Sequence, residues 1–75
     1  MDTLSDGGAT RVVETVVVAL IPEYRQVKVR DREGHLYALT SKTAGVELGE
    51  LHEGQRVVCT VTRKLPRVLT AAAIG

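Results

Sequence analysis

The chain has no Trp and no Phe, and Tyr24 and Tyr37 are its only aromatic residues. Stacking surfaces are therefore scarce, and any core must be built from aliphatic side chains. One cysteine, Cys59, excludes an intrachain disulfide and a zinc site made of several thiolates. Charge of either sign is not in excess, because ten Lys and Arg against nine Asp and Glu leave a formal +1. That balance lacks the footprint of a dedicated nucleic-acid binder. Gly7-Gly8 precedes no GKS or GKT, and no G-x-G-x-x-G occurs, so phosphate-cradling loops are absent. The apolar run from Val12 to Ile21 is interrupted by Glu14 and is too short to span a bilayer, so no membrane partner is expected. With Asp2 and Asp6, and without a basic start or an apolar core, residues 1–10 are not expected to be a signal peptide. The expectation is a cytoplasmic protein, or a periplasmic one if the chain has been trimmed.

Catalysis is not expected either. Seventy-five residues make one small domain that buries too little surface for a deep cleft between layers. Ser5 and Ser41 fall in tail or loop, and no base is placed to activate them. The chain reads as a non-enzymatic binding module without a cofactor.

What is present is 44% hydrophobic residues, rich in Val, with Thr and Ile, which favour strands. Residues 1–10 combine Asp, Ser, Thr and Gly7-Gly8 and read as a flexible tail, leaving 11–75 as the domain. Val12–Ile21 is apolar on both parities near its end and reads as a first strand covered on both sides, with Val16 in the core. Pro22 then breaks it. Gln26–Arg30 alternates, with Val27 and Val29 inward and Lys28 and Arg30 outward. Asp31–Gly34 is a tight turn, and His35–Thr40 returns as strand three. Its parity can be read either way; Tyr37 and Leu39 are the pair placed inward. Thr43–Leu51 does not alternate, and predicts one or two helical turns capped near Thr43 or Ser41, with Leu48 or Leu51 plugging one end of the core. Glu53-Gly54 is a turn, Gln55–Thr62 a strand with Val57, Cys59 and Val61 inward, Arg63–Pro66 a loop, and Val68–Ile74 a last strand. The sum is an all-β protein, a five-stranded OB-fold barrel with one short helix between strands three and four. An SH3-like barrel is the alternative.

The run from Val16 to Arg30, followed by Gly34 and by Leu48–Val57, resembles the small OB domains of the CusF type, bacterial periplasmic carriers of copper and silver. The resemblance covers roughly residues 12–63 and implies the barrel. It does not bring the metal function, because the position of the family's histidine is Asp31, its Met pair falls at Glu33 and His35, and its Trp has no counterpart. Thioether ligands select monovalent copper, and the only Met is Met1. The Gly34-His35 return and the helix position are also similar to bacterial translation initiation factor 1, though its strongly basic ends are missing.

His35, His52 and Cys59 are the nitrogen and sulfur donors available, none at zinc-like spacing, so no metal site is expected. The basic residues carry more. Lys28, Arg30 and Arg32 project from strands two and three, Tyr24 lies in the first loop, and Arg63, Lys64 and Arg67 surround the last one. OB-folds bind oligonucleotides on that face and between those loops. These seven residues form the candidate surface for weak, non-sequence-specific binding of single-stranded nucleic acid by a monomer. The alternative is a protein–protein adaptor using Val58 with Thr60 and Thr62, and also Leu36 and Ala38, as an apolar patch, or a CusF-like accessory domain that has lost metal binding.

Overall fold

The computed structural model describes residues 10–63 and 67–74. The predicted tail over residues 1–9 and the loop residues Lys64, Leu65 and Pro66 lie outside that range. Thr10, assigned to the tail from sequence, is the first residue of a strand.

Five strands form one antiparallel sheet: β1 (Thr10–Ile21), β2 (Gln26–Asp31), β3 (Leu36–Thr40), β4 (Arg56–Thr62) and β5 (Val68–Ile74). Their spatial order is β3-β2-β1-β4-β5, so β1 is central and serves β4 with its first half and β2 with its second. The sheet curls until its two outer strands approach. A parallel bridge joins Ala44, just beyond β3, to Thr70 of β5, and the Ala71 N–H donates to the Ala44 carbonyl at 3.0 Å.

The concave face holds the core: Val17, Val27, Val29, Tyr37, Leu39, Leu51, Val57, Cys59, Val61 and Ala71. The inward assignments for β2, β3 and β4 all hold. Burying each aliphatic side chain is worth about 1.5–3 kcal/mol. One assignment does not hold. Val16 is 39% exposed, and its neighbours Thr15 and Val17 are the buried residues of β1. A bulge explains why both parities of β1 are apolar. Val17 pairs with Val29 but Ala19 with Lys28, so Val18 is an extra residue and the phase of the strand switches there. After the switch Leu20 faces the same side as Val27. Nor is β1 covered on both sides, since Val12 is 67% exposed.

The predicted helix over Thr43–Leu51 is also corrected. No α-helix occurs among the described residues, and the only helical turn in this segment is a 3-10 turn, Leu48–Glu50. Thr43 is buried, but its hydroxyl accepts the N–H of Thr40 at 3.0 Å, behind it in the chain, and so caps nothing ahead. Gly45 at φ +90° then takes the chain out of helical space. Leu51 still reaches the core, as the plug required, and Leu48 packs against it. The other break behaves as Pro22 dictates. Pro22–Tyr24 forms a 3-10 turn, closed by Arg25 in the left-handed conformation.

Candidate functional site

Cross-strand partners point to the same side of a sheet, so the register gives the outer face directly. Arg30 of β2 lies between Leu36 of β3 and Val16 of β1, and Val16 in turn lies beside Arg56 of β4, which pairs with Ile74. The result is one row across all five strands: Leu36, Arg30, Val16, Arg56, Ile74. Aliphatic and guanidinium groups alternate along it. With strands about 4.8 Å apart, the two arginines stand roughly 10 Å apart on either side of Val16. Lys28 sits one step along β2, between Ala38 and Ala19. Among the described residues Lys28, Arg30 and Arg56 have no ion-pair partner. Leu36 is 59% exposed, so the row offers apolar surface as well as charge.

Of the residues singled out from sequence, Lys28 and Arg30 therefore stand together. Arg32 is nearby but engaged, its Nη2 donating to Glu14 Oε1 at 3.4 Å. Tyr24 is exposed on the turn that follows the end of β1. Arg63 and Arg67 lie at the other end of that strand, where Thr62 pairs with Thr10. The first and last loops are thus separated by the length of the 12-residue β1 and do not converge on Lys28. Lys64 is outside the described residues. Sequence reading missed Arg56. The signal was available, because Arg56 has the outward parity of β4, but only the pairing of β4 with β1 brings it beside Val16.

No protein family, curated protein or solved structure matches this chain.

The β2–β3 turn contains the one group among the described residues with donors close enough for a metal ion. Ligand atoms of Asp31, Glu33 and His35 lie within 4.8 Å of one another. The Asp31 carboxylate is already engaged. Its Oδ1 accepts the N–H groups of Glu33 and His35, both at 2.9 Å, and its Oδ2 accepts the Tyr37 hydroxyl at 3.2 Å. His35 Nδ1 is 3.3 Å from the same Oδ2. These bonds build the hairpin, and the group lacks the thioethers that a monovalent copper or silver site requires. The residues present do not fit the metal of CusF-type domains. Partial burial by itself would raise the Asp31 pKa, but the hydrogen bonds from His35, Glu33 and Tyr37 outweigh it and hold the carboxyl below its ordinary value of 3.8.

Cys59 is the other reactive residue type. It is fully buried, with the Thr15 hydroxyl 3.7 Å from its sulfur. Burial pushes its thiol above the ordinary 9.0, against the smaller opposing effect of Thr15. A protonated, enclosed thiol is neither a nucleophile nor a ready ligand. No helix among the described residues is long and apolar enough to cross a membrane.

Proposed function

We propose that the chain is an OB-fold module that binds single-stranded nucleic acid weakly on the outer face of β1, β2 and β4. Two features support the fold. In an OB barrel the first strand is shared between two halves of a Greek key, and the strand order β3-β2-β1-β4-β5 has that form. The Ala44–Thr70 bridge lies where such a barrel closes.

The observation that carries the function is the row Leu36, Arg30, Val16, Arg56, Ile74, with Lys28 beside it. Three cations without an ion-pair partner among the described residues supply phosphate contacts, and the aliphatic side chains between them receive the flat faces of bases. Affinity is micromolar or weaker, because aromatic stacking, worth about 1–3 kcal/mol per base, is missing from the row. Sequence preference is slight, because phosphate contacts position the strand without specifying bases.

An amide-shift titration with a mixed oligonucleotide at low salt tests this reading. Shifts centred on Val16, Lys28, Arg30 and Arg56 are expected, with a log–log salt slope near −2 for about three contacts at roughly −0.7 each. Lys28→Ala with Arg30→Ala flattens the slope and weakens all sequences alike. No shift at large excess of oligonucleotide sinks the proposal. The exposure of Leu36 and Val12 favours a second reading, a protein adaptor. A mass that rises with concentration, or binding insensitive to salt, selects it.

A further inference from the structure

A cavity of about 430 Å³ opens at the end of the sheet where β1 turns into β2. Its walls are mostly apolar, with Leu20 and Val27 from the strands and Val46, Leu48 and Leu51 from the segment between β3 and β4. Leu20 is 42% exposed although it shares the inner side with its partner Val27, because this end of the core is open. The volume falls within the range of small-molecule sites, and apolar walls with a few polar groups are their usual make-up.

Two charges of opposite sign line the cavity, Arg25 and Glu47. They form no ion pair with each other, and neither has an ion-pair partner among the described residues. Arg25 also occupies a costly position. It closes the 3-10 turn at φ 52° and ψ 48°, its N–H donating to the Pro22 carbonyl at 3.0 Å. It is the one non-glycine residue with positive φ among the described residues, at a place where glycine would carry no strain. A strained backbone that places a cation in the lining of an apolar cavity points to a role for that cation.

We infer that this cavity binds a free amino acid with a bulky apolar side chain. The side chain enters between Leu20, Val27, Val46, Leu48 and Leu51, Arg25 receives the carboxylate, and Glu47 receives the ammonium group. A fatty acid or an aliphatic amine would satisfy only one of the two charges. The site is separate from the nucleic-acid face and does not depend on it.

The chain has no tryptophan, so free L-tryptophan can be followed by its own fluorescence. Titrating the full chain into L-tryptophan, indole-3-propionate and tryptamine should give a saturable blue shift that is strongest for the zwitterion. Loss of either charge weakens binding by up to about fivefold, the worth of one exposed charge pair. Arg25→Gly should melt at or above the wild-type temperature, since glycine relieves the turn, yet bind tryptophan no better than tryptamine. Glu47→Gln, which leaves the Arg25 turn intact, should equalise tryptophan and indole-3-propionate. Absence of a saturable signal overturns the proposal. So does equal binding of all three compounds, or indifference to both substitutions, either of which marks plain apolar adsorption.

Discussion

The Asp31 carboxylate fixes the β2–β3 hairpin through three accepted hydrogen bonds, and that role has a pH signature. Its pKa is lowered in the folded state, so ionisation of this group favours folding. The contribution is fully present above the ordinary value of 3.8 and is lost as pH falls through the lower folded value. Asp31→Asn keeps one acceptor oxygen and removes the titration. Denaturant midpoints measured downward from about pH 6 should fall more steeply below about pH 4 for wild type than for Asp31→Asn. Parallel curves for the two proteins would remove Asp31 from this role. From sequence the same residue reads as the opening of a turn and as the position of the CusF-type histidine, because the spacing of Asp31, Glu33, His35 and Tyr37 does not reveal that one carboxylate serves them all. Thr15 was missed for a related reason. A threonine reads as an outward residue, yet its hydroxyl donates to the Val57 carbonyl at 2.8 Å and so tolerates full burial.

At the scale of elements, strands with clean alternation were legible and irregular segments were not. β2 alternates Val with polar residues, β4 alternates Val or Cys with polar residues except at Val58, and that pattern identifies their inward sets. β1 hides a bulge at Val18, which no periodicity exposes because residues on both sides of it are aliphatic. The segment after β3 looked helical since Leu48 and Leu51 are three apart, but Gly45 governs it. Gly45 also controls closure of the sheet. A Cβ there would lie 2.6 Å from the Ala71 carbonyl oxygen, beside the bond from Ala71 to Ala44. Gly34 has nearly the same φ, +91°, but open space around it. Gly34→Ala should therefore cost only the left-handed penalty, about 1–2 kcal/mol. Gly45→Ala should cost about 1–3 kcal/mol more, since backbone of β5 must move. Thermal melts of the two variants compare them directly. Equal losses would mean that the contact between Ala44 and β5 contributes nothing to the fold.

For the whole molecule, the distinction that matters is between the two faces of one curled sheet. The inner face was largely legible, because burial imposes a period of two. The outer face was legible only strand by strand; its row from Leu36 to Ile74 exists through pairing between residues up to 40 positions apart, such as Val16 and Arg56. Val29 and Val16 test the two faces with one chemistry. Val29 has no exposed surface, and an aspartate there places an unpaired charge in the core at a cost of several kcal/mol. A domain with roughly 0.05–0.15 kcal/mol of stability per residue cannot absorb that, so Val29→Asp should be unfolded by circular dichroism. Val16 is partly exposed between Arg30 and Arg56, so Val16→Asp should melt close to wild type. Its new carboxylate lies beside both arginines and competes with phosphate for them. Oligonucleotide affinity should drop and the salt slope should shrink by at least one contact, about 0.7. A folded Val16→Asp with undiminished binding would leave the fold intact and remove nucleic acid from this face.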